Sequence, residues 1–451
     1  MVNVIIHISK YILAILAASY AMKCFTVFSD RHDYDRGGVY LTQNFLMFFI
    51  HFICYAIIYL MTDDVKMLYF YGAQFILFLV TLMVFGTVYK SASRLIVNNM
   101  CYLLMVGFVI LTRLDFDMAV RQFMIAVAAI CISLIIPAFM LRVRMVDQWG
   151  PYLGAGGFIL IASVFVFGKS MYGATNWISI GGFSLQPSEL AKVVFVFFVA
   201  AMLARDTSFK QIVITTAVSA AYVLVLVIEK DLGAAVIFFV TYLVMLFVAT
   251  RQFRYTFLGL LAGSGAAVVA YHLFSHVRTR VVAWQDPWGN YNDAGYQIAQ
   301  SLFAIGTGGW FGMGLFQGKP ETIPVVVSDF VFSAISEELG ALFAIALILV
   351  YFSCFMMFIN ISLQLVKPFY KLVAMGLSTA YGIQLFLCIG GVIKFIPHTG
   401  VTMPLISYGG SSILSTIIIF AVIQGLYLLR QREVLILEKR REEQHNEEEY
   451  S

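Results

Sequence analysis

The sequence predicts an all-α polytopic membrane protein. Of its 451 residues, 61% are hydrophobic and 12% are charged, whereas about a quarter of the residues in an average soluble domain are charged. Apolar stretches of about 20 residues recur along the chain, each long enough to cross a hydrocarbon layer of roughly 30 Å. These stretches are continuously apolar and do not alternate, so we expect spanning helices and not barrel strands.

Thirteen apolar segments lie between polar breaks, and we predict one spanning helix for each. The fourth segment is the shortest. The predicted spans are 4–22, 41–61, 67–87, 99–112, 118–140, 153–168, 189–204, 212–228, 232–250, 255–275, 331–358, 371–390 and 405–429.

The distribution of basic residues orients these spans. Alternate connections carry the Lys and Arg, beginning with Lys23 in the first and Lys90 in the third, and such residues favour the cytoplasmic side. We therefore predict that the N-terminus lies outside and the C-terminus inside, with a charged cytoplasmic tail over 431–451. Three long connections then lie outside: 168–186, 276–330 and 391–404.

Charge and cysteine content exclude other classes. The net charge of +4 is modest and gives no indication of nucleic-acid binding. The six cysteines lie in or beside apolar segments without CxxC spacing, so we expect small buried side chains and no metal cluster.

A first polar cluster begins at the end of the connection 168–186. Gln186, Pro187 and Ser188 form a helix start, and Glu189 favours the positive end of that helix. Glu189 and Lys192 are three residues apart, so they share a face and can pair. The cluster is either a capped span with an internal ion pair or part of a functional cavity.

A second cluster is the tight turn 229–233. It is either a solvated turn, or Asp231 caps the next helix and lines the same outer cavity.

A third cluster follows helical spacing from Asp329 through Ser333, Ser336 and Glu337 to Gly340, with Glu338 beside it. Facing lipid, this stripe would be very unfavourable, so it lines a cavity or packs against another helix.

A fourth cluster combines prolines, glycines and hydroxyls over 394–412. Broken helical backbone of this kind is tolerated only beside protein or water. Its exposed N–H groups suit an anion such as a diphosphate.

The outer loop 276–330 holds the best candidates for chemistry. Arg278 and Arg280 can hold a diphosphate, while Trp284 and Tyr296 offer flat faces for sugar rings. Asp286 is the general-base candidate, flanked by aromatic residues that would desolvate it. The alternative is an interfacial loop with scattered charges.

These clusters together resemble the SEDS family (shape, elongation, division and sporulation), the FtsW/RodA/SpoVE group of cell-wall glycosyltransferases. The resemblance covers roughly 99–430. The motifs that carry it, in the family's order, are Asn-Trp-Ile at 176–178, Gln-Pro-Ser-Glu at 186–189, Asp-Leu-Gly at 231–233, Trp-Gln-Asp-Pro at 284–287, Gly-Tyr-Gln at 295–297, Ser-Asp-Phe to Glu-Glu-Leu-Gly at 328–340, and Pro-His-Thr-Gly to Ser-Tyr-Gly-Gly-Ser-Ser at 397–412.

The resemblance implies a core of ten spans, which spans four to thirteen match. We therefore expect a ten-helix SEDS-like core over 99–430, preceded by about three additional transmembrane helices in 1–98. The family's essential loop aspartate matches Asp286. Further residues with expected substrate contacts are Arg278, Arg280, Trp284, Tyr296, Gln297, Gln300, Lys394, Ser407, Gly409, Gly410 and Ser411. Those expected to be structural or to line the cavity are Trp177, Gln186, Pro187, Ser188, Glu189, Lys192, Asp231, Asp329, Glu337 and Glu338.

The expected activity is a peptidoglycan glycosyltransferase that polymerises lipid II, an undecaprenyl-diphosphate disaccharide-pentapeptide, at the outer face of the bacterial cytoplasmic membrane. Asp286 would be the base, and basic residues or a divalent cation (Mg²⁺ or Mn²⁺) would stabilise the leaving diphosphate; no cofactor is certain. The implied partners are membrane lipid, a class B penicillin-binding transpeptidase and other divisome or elongasome proteins. The alternatives are a lipid II flippase and a non-catalytic cell-wall scaffold.

Overall fold

The computed structural model describes residues 2–29, 33–142, 146–171, 174–180 and 183–449. Within them, thirteen helices are long and apolar enough to cross a membrane, which confirms the predicted architecture. The helices are α1 (Val2–Ser29), α2 (Asp33–Thr62), α3 (Lys66–Val88), α4 (Arg94–Leu114), α5 (Phe116–Arg142), α6 (Gly150–Ala162), α7 (Val164–Phe167), α8 (Pro187–Arg205), α9 (Phe209–Ile228), α10 (Leu232–Thr250), α11 (Phe253–Leu273), α12 (Ser275–Gln285), α13 (Tyr296–Gly308), α14 (Val331–Gln364), α15 (Pro368–Val392) and α16 (Gly410–Glu449).

Short elements join the spans. Single 3₁₀ turns occupy Val146–Trp149 and Pro320–Thr322; the first of them, with α6 and α7, forms the sixth span. α12 and α13 lie in the long outer loop and were not predicted. They are too short to span a bilayer.

Helix α4 lies at the centre of the molecule, and its apolar window is entirely buried. It begins at Arg94, earlier than predicted, because two asparagines interrupt the apolar run in the sequence. Both are buried and hydrogen-bonded. The Asn99 amide donates to Ser353 Oγ of α14 at 2.8 Å, and its Oδ1 accepts from the Tyr20 hydroxyl of α1 at 3.1 Å. Paired in this way, polar groups cost little inside a helix bundle.

The three N-terminal helices belong to the same core. Asn98 of α4 donates to Gln43 Oε1 of α2 at 3.1 Å, and Gln43 Nε2 lies 3.3 Å from Cys24 Sγ of α1. His51 of α2 bonds Gln74 of α3 at 3.0 Å. Residue 98, where we placed the domain boundary, therefore lies inside α4 among contacts to α2.

Helix α14 is broken at Gly340, where φ is 87° and ψ is 168°. The outer-loop segment 309–314 pairs with the backbone groups that the break leaves free. Ala341 N–H donates to Gly309 O, and Met313 N–H donates to Glu337 O, both at 2.9 Å. A Cβ at Gly340 would lie 2.2 Å from Gly312 N, so no larger residue fits.

The same loop segment lies against the start of α1. Lys10 Nζ donates to Gly312 O at 3.0 Å, and the Tyr11 and Phe311 rings lie 4.9 Å apart. The N-terminus and the long loop 276–330 therefore share one face of the molecule, which we call the outer face. After an odd number of spans, the chain ends at the opposite face.

Two further features differ from the prediction. Three short antiparallel strands, β1 (Lys169–Met171), β2 (Ala174–Ile180) and β3 (Phe183–Leu185), form a small sheet in the first long outer connection, with β2 in the centre. The last span begins at Gly410 and not at residue 405, because Leu405 has a φ of 66° that no helix contains. Apolar residues there were counted into the span although they belong to a turn.

Candidate functional site

The polar residues of the outer face converge on Asp231. This residue caps α10, and its Oδ1 accepts the Ala234 N–H at 3.1 Å. Its Oδ2 accepts three side-chain donors: Gln186 at 2.8 Å, Asn176 at 3.0 Å and Ser188 at 3.1 Å. A carboxylate with four donors is fully satisfied although it is only 8% exposed.

Local sequence explains how the start of α8 reaches Asp231. Pro187 stands at the first helical position, where its missing N–H costs nothing, and Ser188 follows. Gln186 precedes the helix in an extended conformation, with φ of −102° and ψ of 105°. Its backbone N–H donates to Ser411 Oγ at 2.8 Å. The first, second and fourth sequence clusters therefore meet here.

Arg280 lies between the carboxylates of Asp231 and Asp329. Its burial lowers the pKa of the guanidinium, and the two negative charges oppose that effect. Its Nη1 donates to Thr399 O at 2.9 Å. Gly400 has a φ of 70°, and a Cβ there would lie 3.4 Å from Asp329 Oδ2. Arg280 thus links α12 to the residue before α14 and to the connection before α16.

Asp329 has a second neighbour, His398, that the sequence did not predict. His398 Nε2 lies 3.7 Å from Asp329 Oδ2, and its ring stacks on Phe330 at 4.5 Å. Its place in the Pro-His-Thr-Gly motif was the available signal. Asn176 was likewise missed as a direct ligand of Asp231, although its motif was recognised.

Glu229 is a buried carboxyl beside this cluster. It is 1% exposed, and neither carboxylate oxygen has a hydrogen-bond partner among the described residues. Burial raises the pKa of Glu229 to about 8, and the negative charge of Asp231 adds to the effect. Near neutral pH the group is therefore mostly protonated.

Asp286 stands apart from the buried cluster, at the C-terminal end of α12. Its Oδ1 accepts the Gly289 N–H at 2.8 Å, and its backbone oxygen accepts the Asn290 amide at 2.8 Å. The residue is exposed, so the desolvation expected from its aromatic neighbours is not found. Trp284 points elsewhere, because its indole N–H donates to Lys394 O at 3.1 Å.

Helix α12 carries both Asp286 and Arg280. Two of its side chains, Arg280 and Trp284, bond the backbone of the connection 393–409. Six residues of helix correspond to a rise of about 9 Å. The helix thus sets an exposed carboxylate roughly 9 Å along its axis from the buried charge cluster.

The two arginines that we expected to hold a diphosphate together lie on different sides of α12. Arg278 is exposed, donates to His272 O at 3.2 Å and stands over the Tyr271 ring. Arg280 turns toward Asp231 and Asp329. The physical reason is that residues two apart on a helix do not face each other.

Glu189 and Lys192 form the ion pair that their spacing predicts. Lys192 Nζ lies 2.9 Å from Glu189 Oε2 and 2.6 Å from Gln384 Oε1. Ser415 donates to Glu189 Oε2 at 2.7 Å. Both charged residues are buried, and the network joins α8 to α15 and α16.

The stripe on α14 divides between two neighbours and does not line one cavity. Only Asp329 faces Arg280. Glu337 Oε1 accepts the Lys319 N–H at 3.0 Å, and Glu338 Oε1 accepts from Arg113 Nε at 3.0 Å. Glu337 and Glu338 therefore hold the outer loop and α4 against α14.

The residues expected to present backbone N–H groups to an anion are used internally. Ser407 is buried; its Oγ accepts the Met403 N–H at 2.9 Å and donates to Ser328 O. Gln122 of α5 donates to Ser407 O at 3.1 Å and accepts the Gly409 N–H at 3.0 Å. Gly410 packs on Ile125, where a Cβ would lie 2.6 Å from Cδ1. This segment is an internally bonded connection between α15 and α16.

The remaining predicted contacts lie around α13 and β2. Tyr296 packs edge-on against Tyr291 at 5.4 Å, and Gln300 donates to the Tyr291 hydroxyl at 2.7 Å. Gln297 and Lys394 are half-buried, and Trp177 is half-buried on β2, opposite Lys169.

The described residues do not form a preformed cluster of metal ligands. Among the described residues, no group of three His, Cys, Asp or Glu side chains could hold a metal ion. Asp231 is already saturated by four donors, and Asp329 faces Arg280 and His398.

Comparison with known proteins supports the resemblance. A family model for cell cycle proteins, FTSW_RODA_SPOVE, matches residues 93–431. The peptidoglycan glycosyltransferase RodA of Mycobacterium tuberculosis is 35% identical over 322 residues, which are 67% of this chain and 69% of that protein. A probable peptidoglycan glycosyltransferase FtsW of Aliivibrio salmonicida is 33% identical over 340 residues, covering 72% of this chain and 84% of the relative.

Solved structures share the fold. A peptidoglycan synthase complex that coordinates polymerization and crosslinking contains a chain with a TM-score of 0.64 and 23% identity, covering 75% of this chain and 98% of the other. The rod shape determining protein RodA of Thermus thermophilus has a TM-score of 0.56 and 22% identity, covering 75% and 97%. The family match begins at residue 93, so α1–α3 precede it.

Proposed function

This chain belongs to the FtsW/RodA/SpoVE family of cell cycle proteins, and we propose that it polymerises lipid II into glycan strands as a peptidoglycan glycosyltransferase. Relatives of that activity align over two thirds or more of the chain. The observation that carries the proposal is the outer face, where an exposed Asp286 ends the short helix α12 and Arg280 of the same helix interacts with Asp231 and Asp329.

In this mechanism Asp286 is the general base. Its carboxylate takes the proton from the 4-hydroxyl of the acceptor sugar, and that oxygen attacks the anomeric carbon of the donor. The bond from that carbon to the lipid diphosphate breaks with inversion, and the diphosphate leaves with the electron pair. A positioned base of this kind contributes about 10²–10⁴-fold to the rate. Exposure suits the role, because an acceptor sugar must reach the carboxylate.

The turn after α12 orients the base. Gly289 N–H holds Oδ1 of Asp286 at 2.8 Å. A Cβ at Gly289 would lie 2.2 Å from Oδ2, so a larger residue there would displace the carboxylate. The leaving diphosphate is stabilised by positive charge on α12 and on the connection that α12 binds, which includes Lys394.

The test is glycan-chain formation from purified lipid II in liposomes. Asp286→Ala and Asp286→Asn are compared with Asp293→Asn, which removes another exposed carboxylate of the same loop. We expect polymer from the wild type and Asp293→Asn, and at least a 100-fold loss in both Asp286 variants. Equal polymer from folded Asp286 variants would place the base elsewhere.

We propose that the enzyme works with a crosslinking partner, a class B penicillin-binding transpeptidase. One similar solved structure is of a synthase complex that both polymerizes and crosslinks. The assay is therefore run with and without such a partner. If the wild type forms no glycan polymer either with or without the partner, the result counts against a polymerase. A lipid-translocation assay would then follow.

The flippase alternative loses its strongest support. It relied on intramembrane charges that could line a polar pathway. Glu189 and Lys192 are instead buried and bonded to each other, to Ser415 and to Gln384. Glu337 holds a loop N–H. These groups brace helices, and a multi-pass membrane enzyme with its active face outside fits the arrangement better.

A further inference from the structure

A cavity of about 390 Å³ lies between α2, α3 and α4, at the face opposite the outer loop. Its walls include Leu41 of α2, Phe85 of α3 and Val97 of α4. It lies beside the turn from α3 to α4. In the same region Gln424, 14 residues into α16 and so about 21 Å from its outer end, donates to Ser93 O at 3.1 Å.

Two glycines border this cavity. A Cβ added to Gly37 or to Gly86 would meet no atom within 4 Å. Both helices therefore leave space where an ordinary side chain would stand. Asn44 Oδ1 is buried in the same wall and has no hydrogen-bond partner among the described residues. A ligand with both apolar and polar parts would satisfy this lining.

The charged side chains among the described residues that line the cavity are Lys90 and Arg94. Both are exposed and lie at the ends of α3 and α4, which is where a spanning helix meets the headgroup layer. Basic pockets between spanning helices at that depth bind anionic lipid headgroups, and juxtamembrane Lys and Arg contribute to such binding.

We propose that this cavity binds an anionic glycerophospholipid. An acyl chain lies along Leu41, Phe85 and Val97, and the phosphate accepts hydrogen bonds from Lys90 and Arg94. A free phosphate would meet the charges but leave the apolar wall empty, so the lipid is the better fit. The site does not depend on the proposed glycosyltransferase activity.

A lipid in this position would contact a joint between the additional helices and the core. Tyr89, also in the lining, donates from its hydroxyl to Leu134 O of α5 at 2.5 Å. Ser93 accepts from Gln424 of α16. The turn that holds the phosphate is thus bonded to two core helices, and we expect bound lipid to stabilise the whole chain.

The test is native mass spectrometry of the delipidated full chain in detergent, titrated with phosphatidylglycerol or with phosphatidylcholine of the same acyl chains. We expect phosphatidylglycerol to bind at least tenfold more tightly. Lys90→Gln/Arg94→Gln should weaken its binding by roughly 10- to 30-fold. Gly86→Leu, which fills the cavity and keeps both charges, should block it.

The control is Lys210→Gln/Arg254→Gln, which removes two exposed cations at the ends of α9 and α11. It should bind phosphatidylglycerol as the wild type does. Equal loss in this control, or full binding by a folded Gly86→Leu chain, would overturn the proposal. So would complete competition by inorganic phosphate at the lipid's own concentration.

Discussion

The Gln186 side chain donates to Asp231 Oδ2 across 2.8 Å, although 45 residues separate the two in the chain. The bond ties the residue before α8 to the cap of α10 under the outer face. Around it, Asn176 and Ser188 complete a ring of donors. The geometry makes Asp231 the organising residue of the site and predicts how the site responds to substitution.

Asp231→Ala should lower stability by about 2–4 kcal/mol, because it removes a helix cap and leaves three buried donors without an acceptor. Asp231→Asn keeps the shape but loses the charge beside Arg280, so it should fold better and still lack polymerase activity. Thermal unfolding and glycan formation measure the two effects. Ser208→Ala, which removes the exposed cap of α9, is the control and should keep full activity.

Arg280→Gln should reduce glycan formation at least tenfold more than Arg278→Gln. Arg280 is mostly buried between two carboxylates and holds Thr399 O, whereas Arg278 is exposed against α11. Removing Arg280 leaves both carboxylates without their shared cation. Parallel initial-rate measurements at saturating lipid II test this. Equal losses would mean that both arginines act by attracting the anionic substrate. The internal contacts of Arg280 would then not matter for activity.

The buried pair of Glu189 and Lys192 should show strong coupling. Each single change, Glu189→Gln or Lys192→Met, leaves one buried charge unpaired and should cost about 3–5 kcal/mol. The double variant should cost clearly less than the sum of the two. Unfolding in detergent by denaturant gives all three values. Additive costs would show that the groups are solvated and independent.

Glu229 should make the protein less stable as pH rises. Its pKa is raised to about 8 by burial, while an unfolded Glu titrates near 4.3. Below about pH 4.3 Glu229 is protonated in both the folded and the unfolded chain, so it does not lower the free energy of unfolding. The destabilisation then grows up to about pH 8 and levels off above it. Glu229→Gln should therefore match the wild type at pH 4 and unfold roughly 5 °C higher at pH 8.

The control for this pH profile is Asp293→Asn, an exposed carboxylate whose loss should leave the profile unchanged. Thermal unfolding at half-unit pH intervals measures the difference. A gain from Glu229→Gln that is the same at pH 4 and pH 8 would show that packing, and not titration, is responsible.

Hydropathy predicted the thirteen spans because a lipid solvent demands long apolar segments, whatever their partners. Short-range geometry also succeeded for Glu189 and Lys192, whose spacing of three places them on one face. Both inferences depend on neighbours within one helix, and such neighbours can be read directly from the chain.

Contacts between distant segments were not predictable in the same way. Ser407 and Gly409 looked available for an anion, but Gln122, more than 280 residues earlier, occupies them. The pairing of His398 with Asp329 likewise depends on how two segments meet. The separation of Arg278 and Arg280 could have been foreseen from helical geometry, since α12 places them on different faces.

The buried asparagine of α4 has a consequence for the order in which the chain is assembled. We expect Asn99 to meet Tyr20 and Cys24 before its partner on α14, because α1 is synthesised first. Its other partner, Ser353, arrives 254 residues later. Until α14 is present, the side-chain amide of Asn99 lacks the acceptor that it has in the folded chain. We therefore expect α1 to satisfy the side-chain oxygen of Asn99 before α14 has been synthesised.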